Sequence, residues 1–69
     1  MMDIENVFTY HPPTPNQIPK YDEIRKAAKI FAKVIQDQVP EGPDKSVVMR
    51  KLREAVMTAN AAVALEGKL

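Results

Sequence analysis

The stretch Ile24-Arg25-Lys26-Ala27-Ala28-Lys29-Ile30-Phe31-Ala32-Lys33-Val34-Ile35-Gln36, closed by Asp37-Gln38-Val39-Pro40-Glu41-Gly42-Pro43, decides the fold. Ile24, Ala27, Ala28, Phe31, Val34 and Ile35 recur at helical spacing, while Arg25, Lys26, Lys29, Lys33 and Gln36 fall on the other side. An amphipathic helix is predicted, ending at Val39 because Pro40 has no amide hydrogen with which to continue it. Pro40-Glu41-Gly42-Pro43 reads as a tight connector. Pro43 suits the first position of a second helix, and Asp44 is favourable in its first turn. A loop this short makes the two helices antiparallel neighbours.

Toward the C-terminus, Val48, Leu52, Ala55, Val56, Ala59, Ala62 and Val63 share one face, and Gly67 is a natural stop, so the second helix is expected over 43–66. Toward the N-terminus, the first helix is expected over 17–39. Either Thr14 or Asn16 serves as its cap, and Gln17 is placed for a capping box with Thr14. Pro12, Pro13, Pro15 and Pro19 crowd the entry. Proline fixes φ and biases its predecessor away from the helix, so residues 1–16 are expected as a stiff, extended arm presenting Tyr10 and His11. A frayed terminus is the competing reading.

The chain has 69 residues, too few for one hydrophobic core to offset the entropy of folding comfortably. Small domains make up the difference with disulfides, a structural metal or assembly. With no cysteine and a single histidine, the first two are removed, and self-association is left. The back of the second helix agrees: Met57, Ala61 and Ala64 line up there beside Asn60, more apolar circumference than one hairpin partner can cover. The alternative is that these alanines are helix formers on a solvated face. The expected architecture is one all-α domain over 1–69, an antiparallel helical hairpin with a Pro-rich arm, assembled as a homo-oligomer.

A formal net charge of +1 supplies no general field for duplex nucleic acid or an anionic membrane, so neither is an expected partner. No apolar run approaches a membrane span, and Met1-Met2-Asp3-Ile4-Glu5 lacks the character of a secretion signal, so a cytoplasmic protein is expected. Catalysis is not expected. There is no Cys nucleophile, and Ser46, Thr9, Thr14 and Thr58 have only His11 as an imidazole base. No ligand set has the spacing of a zinc or calcium site, no cofactor is implied, and Gly42 and Gly67 are too few for a phosphate loop.

What remains is a binding kit. Segment 24–36 carries Arg25, Lys26, Lys29 and Lys33 and no acid; Arg25, Lys29 and Lys33 are four apart and point the same way, able to hold phosphates. A charge run by itself is more often a solvated face. Beside it in the chain, Phe8-Thr9-Tyr10-His11 offers aromatic rings able to stack on a base, although aromatic residues near a terminus are more often core plugs.

Phe8-Thr9-Tyr10-His11-Pro12-Pro13, followed by Gln17, Tyr21, Ile24-Arg25, Ala28-Lys29 and Ala59-Asn60-Ala61-Ala62-Val63-Ala64, resembles the small phage proteins that sequester cyclic oligonucleotide signals, the anti-CBASS type. The resemblance spans roughly residues 8–65 and rests on several motifs in order. Thr58 departs from it, standing where relatives carry a large aromatic residue. The resemblance implies a helical homohexamer binding 3′,3′-type cyclic dinucleotides, cGAMP-like, and in some relatives cyclic trinucleotides at separate sites, between protomers and without cleavage, in the cytoplasm of the infected bacterial host. It places Tyr10 against a base and the phosphate grip at Arg25 or Lys26, with His11, Lys29 and Asn60 as further ligand-binding residues. A second reading is an oligomeric helical-hairpin module that docks a protein partner. A helix-turn-helix DNA reader is disfavoured by the antiparallel connector and the nearly neutral charge.

Overall fold

The structure, a computed structural model, describes residues 2–67. Three helices follow one another: α1 Ile4–Val7, α2 Ile18–Gln38 and α3 Pro43–Leu65. The long pair, α2 and α3, packs as an antiparallel hairpin. Gln17 meets Val63 at one end, and Lys45 meets Gln36 at the other.

Each end of the hairpin has a local cause. Val39 is extended (φ −93°, ψ 128°), the conformation a following proline imposes, and its amide closes α2 on Ile35 O at 3.0 Å. Gly42 takes φ 153° and ψ −179°, a combination open in practice only to glycine, and so aims Pro43 into the first turn of α3. Lys45 ties the connector down, donating to the Gln36 carbonyl at 3.0 Å and to Glu41 Oε1 at 2.6 Å. At its far end α3 stops in a left-handed turn: Glu66 N donates to Val63 O at 3.2 Å and Gly67 N to Ala62 O at 2.9 Å.

The start of α2 differs from the sequence reading. Neither Thr14 nor Asn16 caps it through a side chain; Gln17 is the cap residue and makes no side-chain cap bond. Instead, the Thr14 carbonyl accepts from Gln17 N at 2.9 Å and Ile18 N at 3.2 Å, while Thr14 N donates to Gln17 Oε1 at 3.1 Å. Half of a capping box is formed, with the backbone carbonyl in place of the hydroxyl. Pro19 lies in the first turn, where its missing amide hydrogen costs nothing.

The arm is not extended throughout. Asp3 accepts from Asn6 N at 3.1 Å and starts the single turn α1, whose end is fastened by Thr9 Oγ1 donating to Glu5 O and by His11 Nε2 donating to Asn6 O. A good Asx cap outweighs the arm's lack of helical periodicity here. Residues 10–14, holding Pro12 and Pro13, carry no regular structure.

Two helices make one layer. The chain measures 42 × 27 × 15 Å, and the smallest extent is little more than one helix with its side chains. Its radius of gyration, 14.8 Å, exceeds the roughly 11 Å of a compact domain of this length. Among the described residues only Ile35 and Leu65 are buried apolar side chains. The predicted apolar face of α2 therefore divides. Ile35 is buried and Ile24 and Ala28 are half-buried against α3, but Ala27 is exposed, and Phe31 and Val34 remain 54% and 50% exposed. On α3, Met57 is 60% exposed and Ala61 is exposed, whereas Ala64 is half-buried.

Candidate ligand-binding site

The two faces of the layer carry opposite chemistry. On one, Ile24, Ala27 and Phe31 of α2 oppose Ala55 and Ala59 of α3 over a floor of Ala28, Leu52 and Val56, with no ionisable side chain in the groove. On the other, Arg25 and Lys29 of α2 face Arg53, Met49 and Met57 of α3 across Ala28, Ala32, Leu52 and Val56, bounding a shallow, solvent-open trough of about 330 Å³. This trough runs into a second concavity along α2, lined by Asp22, Arg25, Lys26, Lys29, Ile30 and Lys33, because Arg25 and Lys29 belong to both.

Spacing explains the cation cluster. Residues four apart stack on one side of a helix, so Arg25, Lys29 and Lys33 form a ridge, with Lys26 beside it. One carboxylate enters the ridge from the preceding turn: Arg25 Nη1 pairs with Asp22 Oδ1 at 3.0 Å. Both partners are about two-thirds exposed, so the pair contributes little stability and can open for a ligand. Among the described residues Lys26, Lys29, Lys33 and Arg53 have no carboxylate within ion-pair distance. Four cations of α2 with one carboxylate among them concentrate positive charge locally on a chain of nearly zero net charge.

Of the residues singled out from sequence, Arg25, Lys26 and Lys29 come together in the ridge. Tyr10, His11 and Asn60 do not line either cationic concavity. Tyr10 is 79% exposed on the arm. His11 is half-buried, its Nε2 committed to the Asn6 carbonyl. Asn60 is half-buried on α3, and its Oδ1 is enclosed without a hydrogen-bond partner among the described residues. A buried acceptor left unpaired costs free energy, which makes Asn60 an exception among the buried polar atoms of the described residues.

Arg53 was missed by sequence reasoning. Its side of α3 is defined only by the rotation of α3 against α2, although Met49, Arg53 and Met57 at four-residue spacing signal a shared stripe. Among the described residues, no group of three or more His, Cys, Asp or Glu is placed to hold a metal ion, and no helix is long and apolar enough to cross a membrane.

Neither a curated protein nor a solved structure matches the chain. A protein family does: the description Acb2/Tad1, hairpin domain, matches residues 2–64, covering the arm, both long helices and every cation of the ridge. Members of that family are phage proteins that act as sponges for cyclic oligonucleotides against the CBASS defence, binding the signal rather than acting on it as enzymes. A helical hairpin with a cationic ridge, matched over nearly its whole length, the chain belongs to the Acb2/Tad1 hairpin-domain family.

Proposed function

We propose that this chain binds 3′,3′-type cyclic dinucleotides, cGAMP-like, and withholds them from their receptors without cleaving them, in the cytoplasm of an infected bacterial host. The observation that carries this reading is the acid-poor ridge of Arg25, Lys26, Lys29 and Lys33, a local anion site in a family of cyclic-oligonucleotide sponges. Phosphodiesters lie on the ridge, gripped by Arg25 or Lys26 with Lys29 beside them. A base stacks on Tyr10, whose ring stands free of the chain's own packing. Asn60 Oδ1 accepts a donor from the ligand or from the chain beside it, and His11 steadies the arm that carries Tyr10. Because Tyr10 lies outside the cationic concavities of its own chain, the site is completed between copies.

Surface area supports assembly. The chain exposes 5849 Å², against about 4,400 Å² for a compact monomer of this mass. The surplus is nearly twice the roughly 800 Å² that one partner buries at an ordinary interface. Each chain thus has enough surplus surface to pack against further copies, which supports the homohexamer that the family resemblance implies. The uncharged groove of Ala27, Phe31, Ala55 and Ala59 is the face that packs against another copy.

Thermal unfolding with and without a 3′,3′-cyclic dinucleotide tests the reading. At a hundredfold excess over the dissociation constant, a ligand that binds only the folded state adds about 2.7 kcal/mol of apparent stability. No shift at millimolar ligand contradicts the sponge and favours a protein-docking module.

A further inference from the structure

The ridge on α2 accounts for one edge of the trough, and Arg53 stands on the other with no role assigned to it. We propose that Arg53 is a phosphate-binding residue and that the trough between α2 and α3 holds one nucleotide unit of the ligand, its apolar side on the floor and its anionic groups divided between Arg53 and the Arg25–Lys29 edge. The inference rests on the sponge reading and specifies its site.

Three observations carry it. The trough, at about 330 Å³, lies at the small end of ligand pockets, suited to a nucleotide unit rather than to a whole cyclic dinucleotide. Its floor of Leu52, Val56 and two alanines is apolar, while cations stand on both edges, one on α3 and two on α2. A single inorganic phosphate has no apolar side to bury there. A nucleotide offers a flat apolar face together with an anion, and a cyclic dinucleotide carries two phosphodiesters, enough to engage both edges. Met49 and Met57 flank Arg53, and their flexible thioethers adapt to a ring more readily than branched side chains do. Among the described residues Arg53 has no carboxylate partner that a ligand would have to displace, in contrast to Arg25, which carries Asp22. Its guanidinium offers the planar fork that grips phosphate on two oxygens.

The experiment is calorimetric titration of the full chain with a 3′,3′-cyclic dinucleotide at several salt concentrations, comparing the unmodified protein with Arg53→Gln, Arg53→Lys and Arg50→Gln, the last an arginine of α3 outside the trough. Light scattering of each variant runs alongside. Arg53→Gln should weaken binding about tenfold and flatten its salt dependence, since it removes a charge-assisted hydrogen bond. Arg53→Lys should recover part of the affinity, and Arg50→Gln should bind as the unmodified chain does. Unmodified affinity in Arg53→Gln, beside a wild type that binds, overturns this inference alone. An Arg53→Gln variant that loses assembly mass also overturns it, making the trough a contact between copies. A wild type that does not bind overturns the sponge reading together with this inference.

Discussion

Gln17 reaches across 46 positions of sequence to donate from Nε2 to the Val63 carbonyl at 3.2 Å, while its Oε1 accepts from Thr14 N at 3.1 Å. It is the one buried polar side chain among the described residues, and both ends of its amide are used. One residue thus joins the arm, the start of α2 and the last turn of α3. Gln17→Ala removes both bonds and strands a carbonyl and an amide, at a cost of about 1 to 3 kcal/mol. A fall in melting temperature of roughly 4 to 8 °C for each kcal/mol is expected for a domain of this size, read by circular dichroism. An unchanged melt would show that the arm is not fastened through Gln17.

Gly42 supports a backbone prediction free of packing. A Cβ built there meets nothing within 4 Å, so the cost of substitution comes from φ 153° alone. Gly42→Ala and Gly42→Ser should destabilise equally, by about 1 to 3 kcal/mol. A larger loss in the serine variant would point to a steric cause instead.

Assembly through the uncharged face is tested at Phe31. Because this ring is 54% exposed in the single chain, Phe31→Asp leaves the hairpin's own seam intact but places a carboxylate where another copy is expected to pack. Light scattering should report a fall in mass while circular dichroism keeps its helical signal. Retention of full mass would place the interface elsewhere.

The hairpin was legible because its determinants are local: Pro40, Gly42 and Pro43 act within the connector, and the apolar spacing of 24–35 is a property of one helix. How that apolar arc divides was not legible. Ile35 is buried, and Phe31 and Val34 are exposed, because of the rotation of α2 against α3, which no residue states by itself. The same rotation brings Arg53 opposite Arg25 and Lys29, so the second edge of the trough stayed hidden while the ridge on α2 was plain. Thr14 failed as a side-chain cap because its carbonyl took that role, and α1 was overlooked because one turn is too short to show a period.

Two contributions to ligand binding should separate by their response to salt. Tyr10→Ala removes a stacking surface worth about 1 to 3 kcal/mol, weakening binding roughly 5- to 150-fold with little change in salt dependence. Arg25→Ala combined with Lys26→Ala should weaken binding and flatten the salt dependence, because dissolved ions screen the attraction between these cations and phosphate. Assembly should survive both. If Tyr10→Ala leaves affinity intact and breaks the oligomer, Tyr10 is a packing residue.

The central claim is that the chain holds a cyclic dinucleotide without altering it, and titration followed by recovery of the ligand tests it most directly. Calorimetry of the full chain against a 3′,3′-cyclic dinucleotide should show saturable binding with one ligand for every two chains, as a two-fold pocket shared by two copies requires, and with nanomolar affinity, about −12 kcal/mol. Heat denaturation of the complex should then release the ligand intact, as seen by mass spectrometry. No binding heat at micromolar chain and ligand, or recovery of a linear product, would contradict the account.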